Sequence, residues 1–258
     1  GSRMKRFDKF AAAAQSILMF LLLVGLWQLV ADYRLVSPVF LPGPDRTVAA
    51  LWRGLTTGDL PNLLWSTVQR MVYGWLLASL LGVALGALIG GSRAARAYLG
   101  PTLEFLRPIP ASAVVPVAIA FLGLTDGMVL GVIAFGTLWP MLLATVHGFG
   151  DIDPRLVDVS RALRLGRLEI VWKIALPNAL PDILAGMRLG LTIALILAVV
   201  GEMLASQDGL GLAILLAARA FRAPDLFAGI VLLGLVGYVS STALRLVERR
   251  VLRWRRSA

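Results

Sequence analysis

The chain lacks cysteine and carries little charge, and both shortages narrow what it can be. Without cysteine it forms no disulfide, and with a single histidine, His147, it cannot build a histidine metal cluster. Only 16% of its 258 residues are charged, whereas a soluble domain is about a quarter charged. The GxxxxGK[ST] phosphate loop is also missing, so we expect neither ATP binding of that kind nor a cofactor or enzyme activity in this chain.

Long apolar runs take the place of the missing charge. The composition is 58% hydrophobic and the mean hydropathy is +0.81, which predicts an integral membrane protein. A spanning helix needs about 20 apolar residues. Five runs meet this requirement: 11–31, 71–91 (with a helix starting near Asn62), 127–150, 183–205 and 226–244. A shorter run, 108–125, third in chain order, is counted as a span as well, which makes six.

Two of the apolar segments have features of their own. Run 108–125 carries Pro110 and Pro116, so we predict a kinked helix there. Segment 210–218 is too short to cross a bilayer and is predicted to lie at the outer face. The fold class that follows is all-α, an integral membrane helical bundle of six transmembrane helices.

The positive charge predicts the orientation of the chain. The net charge is +10, with a pI near 11.1, and Lys and Arg concentrate in the segments that are cytoplasmic when the N-terminus is inside. We therefore expect both termini in the cytoplasm and contacts with anionic lipid rather than with nucleic acid. The expected organisation is a cytoplasmic N-terminus over 1–10 (residues 1–3, before Met4, being a cloning remnant), one membrane domain over 11–250, and a basic cytoplasmic tail over 251–258.

Glycine recurs every fourth residue in the second run, at Gly82, Gly86 and Gly90. Gly127 and Gly131 repeat the spacing in the fourth run. Such stripes let helix backbones approach closely. Packing within one bundle is the favoured interpretation, and a seam between two chains is the alternative.

Charged residues inside the apolar runs are candidates for function. Arg188 lies in the fifth run, about three turns past Pro177, where it would favour an anionic substrate or pair with another helix or a backbone carbonyl. Glu202, near the end of the same run, would repel an anion, which favours a structural or gating role. Arg70 is expected to extend outward to the membrane surface.

The loop over 151–176 is the most informative segment. Asp153 and Pro154 predict a helix start, since Asp caps helices and Pro suits the first helical position. Gly166 is predicted to end that helix, and a second short helix is expected over 167–176. Pro177 and Pro181 mark the return to the membrane. One face of the first helix is apolar, with Leu156, Val159 and Leu163.

This loop resembles the cytoplasmic loop of permease subunits of ATP-binding-cassette (ABC) importers. The family pattern is Glu-Ala-Ala, three residues, Gly, nine residues, then Ile-x-Leu-Pro. Aligned on Ile174 to Pro177, it places Asp158, Val159 and Ser160 at the Glu-Ala-Ala positions. The family glycine falls on Arg164, with Gly166 two residues later.

Further motifs resemble the branch that handles nitrate, sulfonates and taurine. The resemblance covers roughly residues 62–250. It rests on Arg107-Pro108-Ile109-Pro110, Pro116, Phe121-Leu122-Gly123-Leu124, Gly201-Glu202-Met203 and Gly209-Leu210-Gly211.

The resemblance implies a type I importer permease of the bacterial inner membrane, in which ATP and Mg²⁺ are bound by a partner ATPase. The implied partners are ABC ATPase subunits, an extracytoplasmic binding protein at the outer loops 32–61 and 207–225, and a second permease copy, with a homodimer expected. The solute would be small and anionic. The residues implied in ATPase coupling are Asp158, Val159, Ser160, Arg161, Ala162, Arg164, Gly166 and Pro177, and the pathway candidates are Arg188 and Glu202.

Two other functions remain open from the sequence. An ion-gradient-driven secondary transporter would have paired acids at mid-membrane or an inverted repeat, for which Glu202 alone is a poor candidate. A membrane scaffold would recruit a cytoplasmic partner through the basic loops and would carry no solute.

Overall fold

The computed structural model describes the backbone of residues 2–253 and the side chains of 13–166 and 168–253. The end of the predicted basic tail and the side chains of the predicted N-terminal segment lie outside these residues. Helices make up 84% of the described residues, which contain no strand, so the all-α prediction is confirmed.

Eleven α-helices follow one another along the described chain. They are α1 Ser2–Asp32, α2 Pro44–Thr56, α3 Leu60–Gly90, α4 Arg93–Leu106, α5 Ala111–Leu122, α6 Asp126–Gly150, α7 Pro154–Ala162, α8 Arg167–Ile170, α9 Leu176–Ala205, α10 Leu210–Arg219 and α11 Ala223–Val251. A π-helical turn, Val171–Ala175, joins α8 to α9.

Within the part of the chain that the structure describes, five helices are long and apolar enough to cross a membrane, and a sixth crossing results if α4 and α5 together form one span. The sequence predicted one kinked helix over 108–125, but the helix there covers only Ala111–Leu122 and is separated from α4 by a break. The chain breaks between Leu106 and Ala111 and turns by 91°. Two prolines explain the break, since Pro108 and Pro110 follow α4 and disfavour helical geometry in the residues before them. Pro116 lies within α5.

The chain forms two compact units. The first consists of the residues up to Pro61 together with Ala213–Leu232. Aromatic contacts connect its segments: the rings of Trp27 and Phe227 lie 5.9 Å apart, and those of Phe40 and Phe221 lie 6.4 Å apart. The second unit consists of Asn62–Leu212 and the residues from Leu233 onward. The single membrane domain expected over 11–250 stays a prediction.

The core of the second unit lies between α3, α6 and α9. Buried methionine, valine and isoleucine side chains fill it, including Met71, Met128 and Ile133. The glycine stripe of α3 packs within the chain, as favoured from the sequence. A Cβ added at Gly86 would lie 2.5 Å from Thr145 Cβ of α6, and one at Gly90 would lie 2.8 Å from Phe149 Cβ. Small residues thus bring the α3 and α6 backbones together.

Candidate functional site

The loop between α6 and α9 contains the short helix α7, which starts as predicted. Pro154 is its first residue, and the carboxylate of Asp153 accepts a hydrogen bond of 2.8 Å from the backbone N–H of Arg155. This contact satisfies one of the N–H groups that a helix start leaves unpaired.

The end of α7 differs from the prediction. The helix ends at Ala162, before Gly166, and Arg164 adopts a left-handed conformation with φ 48°. The N–H of Leu165 bonds the carbonyl of Ser160, and the N–H of Arg164 bonds that of Arg161, at 3.0 Å each. This pair of bonds is the Schellman motif, in which glycine usually occupies the left-handed position. The residue at the family's glycine position therefore adopts the conformation that glycine favours, although it is an arginine.

Gly166 belongs instead to the start of α8. Its N–H donates to Glu169 Oε2 at 3.0 Å, and Glu169 Oε1 accepts from Lys173 Nζ at 2.8 Å. The second helix predicted over 167–176 divides into α8 and the π-helical turn. Pro177 accounts for the irregular turn, since it has no N–H to donate to the Lys173 carbonyl four residues earlier, and the Leu176 N–H bonds the Val171 carbonyl instead.

The candidate coupling residues differ in their exposure. Asp158 and Arg161 are exposed by 77% and 78%, and their side chains form a loose pair at 4.0 Å. Val159 and Ala162 are also exposed. Ser160, expected to help docking, is buried, and its hydroxyl donates to the Val157 carbonyl at 2.6 Å. Ser160 therefore holds the loop's own structure and presents no surface.

Both ends of the loop are fastened at the membrane helices. The side-chain amide of Asn178, in the first turn of α9, donates to the carbonyls of Gly148 and Asp151 at 3.2 Å each. A Cβ at Gly148 would lie 2.6 Å from Ala179 Cβ, so the α6 and α9 backbones are in close contact here. Helix α7 is thereby connected to two spanning helices at once.

Apolar side chains are exposed along the loop. Leu156, Val159 and Leu163 of the α7 segment are exposed, as are Leu168 and Trp172 beyond it. Exposed apolar side chains grouped on one segment indicate a surface that contacts a partner or lipid.

Arg188, a pathway candidate, forms an ion pair in this structure. Its Nη1 lies 3.3 Å from Glu248 Oε2 of α11. This is the interhelical pairing that the sequence left open as an alternative. A role for Arg188 in the pathway stays a prediction.

Glu202 is fully buried and lies in a polar cluster that we call the glutamate cluster: Thr67, Arg70, Asp126, Glu202 and the backbone of residues 208–211. Its carboxylate accepts hydrogen bonds from Thr67 Oγ1 at 3.0 Å, Arg70 Nη1 at 2.9 Å and the N–H of Gly211 at 2.9 Å. A buried carboxylate is stable only when charges and donors compensate it in this way.

Arg70 connects the glutamate cluster to two further segments. Its Nε donates to Asp126 Oδ1 at 2.7 Å, and its Nη1 donates to the carbonyl of Asp208 at 2.6 Å. Its side chain is only 12% exposed, so the expectation that Arg70 extends outward is wrong. The guanidinium has enough donors to serve three acceptors from α6, α9 and the following loop.

The loop after α9 is held closely by the same cluster. Thr67 Oγ1 accepts from the N–H of Leu210 at 2.9 Å. A Cβ at Gly209 would overlap the Glu202 carboxyl group, and one at Gly211 would overlap the Val199 carbonyl. The two glycines therefore allow the backbone to lie directly against Glu202, which is the physical reason for the Gly-Leu-Gly sequence at this point.

The sequence contains one signal that points to this cluster. Arg70 and Glu202 are opposite charges in two apolar runs, and such charges usually pair inside a membrane protein. Considered singly, neither residue showed its partner. Among the described residues, no group of three or more His, Cys, Asp or Glu side chains could hold a metal ion.

Comparison with known proteins identifies relatives over nearly the whole chain. Residues 78–253 match the family described as "Binding-protein-dependent transport system inner membrane component". The putative aliphatic sulfonates transport permease of Bacillus subtilis (strain 168) is 33% identical over 243 residues, which is 94% of this chain and 88% of that protein.

Two further relatives carry other solute names. The taurine transport system permease of Escherichia coli (strain K12) is 27% identical, over 90% of this chain and 86% of that protein. The nitrate import permease of Leptolyngbya laminosa is 28% identical, over 90% and 85%. Among solved structures, an inward-facing MetNI methionine ABC transporter matches with a TM-score of 0.64 and 20% identity, covering 75% of this chain and 94% of that one. This structural match shows a shared fold.

Proposed function

The chain belongs to the family of inner membrane components of binding-protein-dependent transport systems, in the nitrate, sulfonate and taurine branch of ABC importer permeases, and from this premise we propose how it works. Two copies form the pathway for a small anionic solute. ATPase subunits bind ATP and Mg²⁺ and dock on the loop over 151–176. An external binding protein delivers the solute to the loops over 32–61 and 207–225.

The attachment of α7 is the observation that carries this proposal. The helix lies between two spanning helices, α6 and α9, and Asn178 ties their adjoining ends together. From Arg167 to Ala205 the chain is continuously helical, through α8, the π-helical turn and α9. A body attached in this way transfers displacement to both helices when the partner that holds it moves.

The chemistry of the α7 surface suits a protein partner. Leu156 and Val159 are exposed and supply apolar contact, while the exposed side chains of Asp158 and Arg161 lie beside them. An apolar centre with a charged rim is the usual composition of a protein interface. The ATPase would cover this face and would pair acids with Arg161 and Arg164.

Charge supports the proposed solute and orientation. The relatives are named for aliphatic sulfonates, taurine and nitrate, which all carry an anionic group. The excess of Lys and Arg in the segments assigned to the cytoplasm supports an orientation with both termini inside.

Co-purification of the tagged chain with its ATPase tests the proposal. We expect Ala162→Trp and Asp158→Lys to abolish ATPase recovery and ATP-driven uptake in proteoliposomes, because both residues are exposed on α7. Ala220→Trp places the same bulk on another exposed site, and Asp225→Lys breaks a similarly spaced ion pair with Arg222. Both controls should keep the ATPase.

Normal ATPase recovery with Ala162→Trp and Asp158→Lys would refute the coupling assignment. Uptake that persists without ATP and follows an ion gradient would refute the importer mechanism itself. Monodisperse elution of each variant from a sizing column shows that the membrane fold is intact.

A further inference from the structure

We propose that a cavity between α5, α6 and α9 is a binding station for a small organic anion. The cavity measures about 520 Å³ and lies within the second compact unit. Its volume falls within the range of about 300–1,000 Å³ typical of small-molecule sites. The inference rests on the proposed transport function, since it names a solute-binding position inside the permease.

Apolar side chains form most of the cavity wall. Leu189, Ile193 and Ile196 line it from α9, and Leu143 lines it from α6. The three α9 residues lie three or four positions apart and so share one face of that helix. A bare inorganic anion would leave these walls without contact, so the wall favours a solute with a carbon body.

Cationic and hydroxyl groups lie where the chain breaks between α4 and α5. Arg107, which directly follows α4, and Ser112, in the first turn of α5, both line the cavity. Both side chains are exposed, and the guanidinium of Arg107 has no hydrogen-bond or ion-pair partner in the described part of the chain. An arginine without a carboxylate partner supplies charge-assisted donors to an anionic group.

The ring of Trp139 forms part of the cavity wall, and its indole N–H lies buried beneath that surface. The ring is held edge-on by Phe135, with centroids 5.9 Å apart. Its buried indole N–H has no hydrogen-bond acceptor among the described residues. A buried donor without an acceptor is costly, and a small rotation of the ring toward a bound anion would satisfy it.

Two prolines leave backbone carbonyls without their usual donors at this cavity. Pro116 of α5 cannot donate to the carbonyl of Ser112, and Pro140 of α6 cannot donate to that of Gly136, each four residues earlier. Both Ser112 and Gly136 line the cavity. Water is one of the groups that can satisfy such freed carbonyls in a membrane protein, and a water-filled cavity would supply it here.

The combined lining selects one class of ligand. Arg107, the Ser112 hydroxyl and the Trp139 indole supply donors for an anionic oxygen, and the α9 wall covers an alkyl body. A sulfonate or carboxylate with a short carbon chain satisfies both parts. A lipid acyl chain would fill the wall and leave the donors unpaired.

Saturation-transfer NMR on the full chain in phosphatidylcholine nanodiscs tests this station, with butanesulfonate as the probe. We expect saturable binding, and much weaker binding of the uncharged butyl methyl sulfone. Arg107→Gln should weaken butanesulfonate binding about tenfold, the effect of one charge-assisted hydrogen bond. Arg107→Lys should keep most of the affinity.

Two further variants distinguish binding in the cavity from general effects of charge and folding on binding. Ser112→Phe fills the cavity from an exposed position and should abolish binding. Arg93→Gln removes an exposed arginine of α4 outside the cavity and should leave binding unchanged.

Equal binding of the sulfonate and the sulfone, or binding that neither Arg107→Gln nor Ser112→Phe changes, would overturn the station and indicate an apolar occupant. Absence of saturable binding up to about 10 mM would also overturn it, because a weaker dissociation constant corresponds to a binding free energy too small for a specific site. The assay requires neither ATPase nor binding protein. Loss of ATP-driven uptake with binding intact would therefore count against the proposed function alone.

Discussion

The two ends of α9 hold their neighbours in opposite ways. At the C-terminal end, Glu202 is fully buried and accepts three hydrogen bonds from α3 and from the first turn of α10. At the N-terminal end, the adjoining loop has ion pairs that are open to solvent, such as Asp158 with Arg161. The charged group at the C-terminal end is paired within the chain, whereas the loop at the N-terminal end leaves polar and apolar side chains available to a partner.

The difference has an energetic basis. Charges taken out of water depend on each other, so removal of one partner leaves the other uncompensated. Exposed pairs are solvated whether or not they meet and contribute little. We therefore expect substitutions in the glutamate cluster to affect stability and substitutions on α7 to affect partner binding. Substitutions at four residues test this contrast.

The largest expected loss follows from Arg70→Met. The substitution keeps an apolar stem but leaves the buried Glu202 carboxylate without its cation. We expect a loss of roughly 3–5 kcal/mol, the range for breaking a buried ion pair. The thermal unfolding midpoint of the purified chain in detergent measures it.

A double variant identifies the cause of that loss. Combining Arg70→Met with Glu202→Gln removes both charges, so the double variant should lose less stability than the two single variants lose in sum. Strict additivity would show that the two residues do not interact and would break the comparison between the two ends.

A smaller effect is expected at Arg164. Its left-handed backbone costs a residue with a side chain about 1–2 kcal/mol, a cost that glycine avoids. Arg164→Gly and Arg164→Ala both remove the charge, so their difference isolates the backbone. We expect the glycine variant to resist limited proteolysis of the loop better than the alanine variant. Equal cleavage rates would contradict the Schellman geometry.

The smallest effect is expected from Arg161→Ala. The Arg161–Asp158 pair is exposed and 4.0 Å apart, so its loss should change stability by less than about 0.5 kcal/mol. The same variant should weaken ATPase recovery, because Arg161 is proposed to contact that partner. A large drop in the unfolding midpoint with unchanged ATPase recovery would reverse the contrast between the two ends.

Much of the fold could be predicted because membrane helices are local in their sequence requirements. Run length and hydropathy located the spanning segments, and Asp153 with Pro154 predicted the start of α7. Predictions that required knowledge of neighbours were less successful. Arg70 was expected at the membrane surface, because its contact with Glu202 cannot be read from the sequence spacing alone. Gly166 was expected to end α7, because the spacing does not show the left-handed turn at Arg164 either.

By itself, the sequence determined the class of the molecule. The shortage of charge and the long apolar runs require a membrane bundle, since water cannot solvate such surfaces, and the loop motifs identified the importer family. Only the tertiary structure decided which residues meet. It paired Arg70 with Glu202 across 132 positions of sequence and gathered Arg107, Ser112 and Trp139 around one cavity. Such contacts depend on how helices pack, and helix packing depends on side chains far apart in the chain.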